Sequence, residues 1–164
     1  MFNKNNWRQP IYKNDVRTVI IFGLTATILG GILTGLIDAT LANLFGLGIS
    51  FSLLLNSLII GFSVKKGYEE YHILYPVLAL GFFVLALIIS QLSFYVGIYG
   101  IENIGSVLSN PNTYLNILLL PIKYLFVMIN QGFNVGYLLY LILNILFYIL
   151  AFISVYRIAK GNRR

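Results

Sequence analysis

The 164-residue chain has no cysteine, a single histidine, a single tryptophan and only five carboxylates. Without cysteine there is no disulfide framework, thiolate nucleophile or sulfur-ligated metal. A lone histidine, His72, leaves little for a metal cluster or a Ser/His/Asp relay, since both require several groups to converge. Charge is scarce as well: Asp, Glu, Lys and Arg make up 10% of residues against 59% hydrophobic ones. With a mean hydropathy of +0.85, there is too little polar surface to coat a water-soluble globule. The chain reads as all-α, a polytopic helical membrane protein forming a single integral membrane domain over residues 1–164.

A bilayer-spanning helix needs about 20 predominantly apolar residues. Four blocks qualify, at 18–37, 46–64, 73–97 and 133–156. The apolar run from Tyr124 to Tyr156 is too long for one straight span, and Gln131-Gly132 is the expected break. The first block is longer than a signal-peptide core, so an uncleaved first helix is expected. Before it, residues 1–17 carry Trp7, Tyr12 and Pro10 among basic residues, the composition of a segment lying at headgroup level. Residues 157–164 form a basic tail.

The net charge of +6 and pI of about 9.6 are explained by placement. With both termini cytoplasmic, Lys4, Arg8, Lys13, Arg17, Lys65, Lys66, Arg157, Lys160, Arg163 and Arg164 lie inside and Lys123 alone lies outside. That asymmetry follows the positive-inside rule and favours anionic headgroups as the basic face's partner, with no nucleic acid. Richness in Ile, Asn, Tyr, Phe and Lys points to an AT-rich coding genome and a bacterial plasma membrane.

The first span, GLTATILGGILTGLIDA, carries small residues every fourth position at Gly23, Thr27, Gly31, Gly35 and Ala39, with a second row at Ala26, Gly30 and Thr34. On a helix such rows form a groove. Helices in lipid associate by close backbone approach, so the GxxxG-type groove predicts helix packing, against another helix of this chain or against a partner or second copy. Asp38 marks the expected outer boundary of this span.

Polar side chains inside the spans are few. Asn56 and Asn144 fall at similar expected depth and could bond one another; Tyr137, Tyr140, Asn144 and Tyr148 share one arc of the last helix. They predict either interhelical hydrogen bonds or a neutral pocket lined by Asn56, Tyr137, Tyr140, Asn144 and Tyr148. No ionisable group is expected within the hydrocarbon depth, which disfavours a coupled pump.

The loop 98–132 holds a short surface helix around Ile101, Ile104 and Leu108, then a turn at Asn110-Pro111 and an apolar stretch, 114–131, interrupted by Pro121 and Lys123. That stretch could be re-entrant, interfacial or a fifth span. A central lysine costs about 2.5–3.5 kcal/mol on insertion scales, which favours the first two. Asp38, Glu102 and Lys123 would then be outer-face charges. In KKGYEEYH, the pairs Lys65/Glu69 and Lys66/Glu70 have i, i+4 spacing, the pattern of a solvated helical turn. Glu69-x-x-His72 mimics a metal motif but lacks the remaining ligands.

No cofactor, metal or catalytic residue is expected. The primary expectation is a non-enzymatic membrane subunit or interaction protein acting through helix packing and the outer amphipathic loop. The alternative is a solute-binding or transport component with a neutral polar pocket between the second and fourth helices; a membrane enzyme ranks third.

Overall fold

The structure is a computed structural model and describes residues 10–45, 52–110, 125, 128–130 and 132–161. All its regular structure among those residues is helical: α1 (Lys13–Phe45), α2 (Ser52–Lys66), α3 (Leu74–Tyr99), a 3₁₀ turn (Ile101–Asn103), α4 (Ile104–Ser109) and α5 (Val135–Lys160). Three of these, α1, α3 and α5, are long and apolar enough to cross a membrane. At 15 residues, α2 is shorter.

α1 packs most extensively on α3 and also on α2, while α5 packs on α2 and α3. α1 and α3 run parallel: a Cβ on Gly31 would meet the Ala86 carbonyl at 2.9 Å, and one on Gly97 would meet Ala39 at 2.6 Å. α2 runs back along α1, since Gly67 lies against the Val19 backbone and Gly30 against Asn56 and Ile59. The shared core includes Val19, Ile60, Val64, Tyr75, Phe83 and Val155. Phe83 meets Phe152 edge-on at 5.1 Å.

Helix boundaries differ from the sequence expectation for local reasons. Asn134 adopts an extended conformation and its side chain accepts the Gly136 N–H at 2.7 Å, so α5 begins at Val135 rather than Phe133; this is an N-cap. It continues to Lys160 and stops at Gly161, whose φ of 71° suits glycine alone. α1 does not stop at Asp38, because Ala39–Phe45 contains no helix breaker; the helix runs to Phe45, about 50 Å in all at 1.5 Å per residue.

The loop from Gly67 to Ile73 is not the helical turn that its charge spacing suggests. α2 ends at Lys66 and Gly67 turns tightly, with its N–H on the Val64 carbonyl at 3.0 Å. Asp15 Oδ2 then accepts the N–H groups of Glu69 and Glu70 at 3.3 and 3.4 Å. These contacts hold the segment out of helix, so the expected i, i+4 pairs are not aligned. The expected surface helix after α3 is present as the 3₁₀ turn and α4. Lys123 and all but a few residues of 114–131 lie outside the described residues.

Candidate functional site: a buried polar row between the helices

The stripe Gly23, Thr27, Gly31, Gly35 and Ala39 is buried along its length and its occupant is α3. Gly23 lies under the Phe82 ring and Gly35 against the Ser90 carbonyl, positions where a Cβ would collide. Thr27 adds a hydroxyl that is shared between Gly23 O at 2.7 Å and Phe82 O on α3 at 3.3 Å. Close approach thus replaces the side-chain interdigitation of a soluble helix pair.

The second row, Ala26, Gly30 and Thr34, extends one more step of four to Asp38. All four residues are buried, with Gly30 against α2 and Thr34 against α3. Gly30 faces α2, where the position of a Cβ is 3.0 Å from Asn56 Oδ1. Thr34 reaches α3: its hydroxyl is shared among Gly30 O at 2.7 Å, Gly31 O at 3.2 Å and Ser90 Oγ at 3.2 Å. Asp38, 8% exposed, lies within electrostatic reach of Tyr148 on α5. Asp38 is thus a buried carboxyl seven residues short of the end of α1.

Asn56 is 1% exposed, and neither its Nδ2 nor its Oδ1 has a hydrogen-bond partner. The expected pairing with Asn144 does not form. The register explains why: Gly61 faces Val155 and Ile158, which sets Asn56 opposite the region of Ala151, about 10 Å deeper than Asn144 at 1.5 Å per residue. A buried, unbonded amide costs about 1–3 kcal/mol. Asn144 is itself buried, while Tyr137, Tyr140 and Tyr148 are half-buried on the same helix. Glu102 is exposed on the 3₁₀ turn.

No family model, curated protein or solved structure matches the chain.

At the opposite end, the chain assembles a second polar cluster. The first turn of α1, the last turns of α2 and α5, and the loop before α3 meet there, so Lys13, Arg17, Lys65, Lys66, Arg157 and Lys160 all share this end. Tyr68 donates to the Ala159 carbonyl at 2.5 Å and stacks on Tyr75 at 4.8 Å. Burial, with Tyr71 and Tyr75 nearby, pushes the Tyr68 phenol up to about 12. His72 is 3% exposed, and its Nδ1 accepts the Leu74 N–H at 3.1 Å, closing the first turn of α3. That use of His72 differs from a metal ligand's, and among the described residues no three His, Asp or Glu side chains form a metal-binding group. An open cleft of about 400 Å³ is bounded by Tyr12, Lys13, Asn14, Asp15, Glu69 and Glu70. The Glu70 charge, followed by burial, raises the Tyr12 phenol above its ordinary value.

Sequence reasoning missed the roles of Asp15, His72 and Asn134. Asn134 carries a legible signal, an N-cap residue just before an apolar run. Asp15 acts on backbone that only the tertiary fold brings near and leaves no local signature; His72 bonds the backbone two residues on, a local contact at the start of an apolar run.

Proposed function

We propose that the chain is a four-span, non-enzymatic membrane protein that acts by noncovalent association, as a subunit or interaction partner of another membrane component. Support for the fourth crossing comes from α1 and α3 running parallel, which requires a return segment; α2 occupies that place, with Asn56 at the level of Gly30. The shared end of six basic side chains supports a cytoplasmic assignment for that end and for both termini, facing anionic headgroups of a bacterial plasma membrane. The observation that carries the association reading is at the distal end. Ile101, just after α3, and Phe133 and Val135, at the start of α5, are 75%, 75% and 63% exposed, while the small-residue groove is already filled by α3. A partner would therefore engage this apolar rim rather than the groove.

A second reading, solute binding through a polar interior, is favoured by Asn56. Its amide offers a donor and an acceptor that no described side chain or backbone group uses.

Native mass spectrometry from mild detergent separates the two. A complex of defined stoichiometry that Ile101→Ser and Phe133→Ser dissolve, with the helical fold retained, supports association. A monomer carrying one small molecule moves the function to the second reading. Because the chain lacks cysteine, single-cysteine labelling at positions 14 and 160 tests the topology directly; labelling from opposite sides would refute four spans.

A further inference from the structure

The charges at the basic end are sorted by side. Asp15 accepts the backbone N–H groups of Glu69 and Glu70 at 3.3 and 3.4 Å, so the acids of this end gather with Tyr12 around the open cleft at the start of α1. α5 packs on α2 and α3 rather than on α1, and neither α2 nor α5 contains an acidic residue. Their last turns hold Lys65, Lys66, Arg157 and Lys160, all exposed. The two helices run parallel and end side by side: a Cβ on Gly61 would lie 2.9 Å from Ile158 Cβ, and one on Gly161 would lie 3.5 Å from Lys65 Cε. The Lys65 stem thus rests on the end of α5, next to the residue that follows Lys160. Basic side chains near a helix end often serve its last carbonyls, but here the Ala159 carbonyl takes the Tyr68 hydroxyl at 2.5 Å and the Ile158 carbonyl takes the Gly161 N–H at 3.0 Å. No hydrogen bond or ion pair among the described residues engages the four cationic groups. One helical turn or two deeper, Leu58 and Phe62 on α2 and Ile149 and Ile153 on α5 are exposed apolar side chains, so each cationic turn continues an apolar stripe.

We propose that the adjoining ends of α2 and α5 seat an anionic phospholipid, its phosphate held by Lys65, Arg157 and Lys160 and its acyl chains lying along Phe62 and Ile153. Charge complementarity selects a phosphate, for which the Arg157 guanidinium offers paired donors and the lysines point charges. The apolar stripes select a lipid over a soluble anion, and basic pockets between helix ends on the cytoplasmic side are known seats for anionic headgroups. This rests on the membrane orientation proposed above and narrows it from a basic face to one bound lipid.

The test uses the full chain in a mild nonionic detergent, with native mass spectrometry counting bound lipid as phosphatidylglycerol or chain-matched phosphatidylcholine is added. The expected result is a single phosphatidylglycerol bound in preference to phosphatidylcholine. Lys65→Gln combined with Arg157→Gln should weaken its binding by about fivefold for each surface cation, about 25-fold for the two. Lys13→Gln combined with Arg17→Gln, the same loss of charge on α1, should leave it at the wild-type value. Equal weakening by the two double variants would show attraction by net charge alone and overturn the site. Equal binding of the two lipids by wild type would overturn it too, and that comparison decides even if a variant does not fold. Displacement of the lipid by soluble glycerol phosphate would make the cations a free-phosphate site and overturn the lipid seat. Binding in detergent does not depend on orientation, so the two levels separate. Labelling of positions 14 and 160 from the inside without a lipid preference sinks the site alone, and a retained preference with the labels on opposite sides sinks the orientation alone.

Discussion

The Thr34 hydroxyl on α1 stands 3.2 Å from the Ser90 hydroxyl on α3, and both residues are buried, at 0% and 5% exposure. Thr34 is also satisfied by its own helix through Gly30 O at 2.7 Å. The interhelical bond is therefore a supplement to a hydroxyl already bonded, and its contribution is small. A double-mutant cycle of Thr34→Val and Ser90→Ala, read as unfolding free energy in a membrane mimetic, is expected to give a coupling of about 0.6 kcal/mol, the average for membrane hydrogen bonds. A coupling above about 1.7 kcal/mol would exceed the range known for such bonds and contradict this account.

Glycine has opposite roles at two positions of the same helix pair. At Gly35 on α1 a Cβ would collide with the Ser90 carbonyl and lie 2.7 Å from Ser93 Cβ, whereas at Gly81 on α3 nothing lies within 4 Å. Gly35→Ala forces backbone apart and is expected to destabilise by about 1–3 kcal/mol. Gly81→Ala meets no obstacle and gains up to about 1 kcal/mol of helix propensity. Thermal midpoints moving in opposite directions verify the pair; equal shifts would show that the α1–α3 contact is looser than its geometry.

These two cases also show what the sequence could and could not convey. The i, i+4 repeat of Gly23, Thr27, Gly31, Gly35 and Ala39 announces a close-packed helix face because small side chains have only one use at that spacing in lipid. The identity of the neighbour, α3, depends on register between segments about 55 residues apart and has no local trace. Asp38 was legible as an unusual residue, but a charge after an apolar run looks like a helix end, and the helix runs on to Phe45 with Asp38 buried. The absence of a breaker in Ala39–Phe45 was legible, whereas only the three-dimensional packing reveals that the i, i+4 row turns Asp38 inward. The loop Gly67–Ile73 failed for a related reason: Asp15, more than fifty residues away, captures the backbone that would have continued α2.

Asn56 tests whether the interior polarity serves packing or binding. Its amide has no partner and is 1% exposed, so Asn56→Leu, of similar volume, removes a buried unsatisfied group. The empty protein is expected to gain about 1–3 kcal/mol in unfolding free energy, the penalty associated with such a group. Any ligand-dependent stabilisation should shrink at the same time. A loss of stability without ligand would mean that the amide is bonded in the folded state after all.

The clamp on the Gly67–Ile73 loop is open to hydrogen exchange. Asp15 accepts two N–H groups at 3.3 and 3.4 Å in an exposed setting, bonds worth about 0.5–1.5 kcal/mol each at most. Asp15→Ala should accelerate exchange at Glu69 and Glu70 while leaving the α3 interior protected. Unchanged exchange at these two amides would show that Gly67 packing alone holds the loop.

Tyr68 links the loop to the end of α5 and confers an alkaline limit on stability. Its phenol is raised from 10.0 to about 12, with burial the leading cause, and it donates to the Ala159 carbonyl at 2.5 Å. The folded state thus holds the phenolic proton more tightly than the unfolded chain does. The resulting stabilisation is complete below pH 10.0 and is lost as pH rises through about 12, because the phenolate can neither donate the bond nor sit in its half-buried site. Unfolding midpoints of wild type and Tyr68→Phe, measured from pH 9 to about 12, should differ at the lower end, where the wild type is more stable, and converge at the upper end. Other tyrosines titrate in the same interval, so the difference between the two proteins carries the information. A constant offset across the range would mean that the Tyr68 hydroxyl contributes packing but no proton-linked bond to α5.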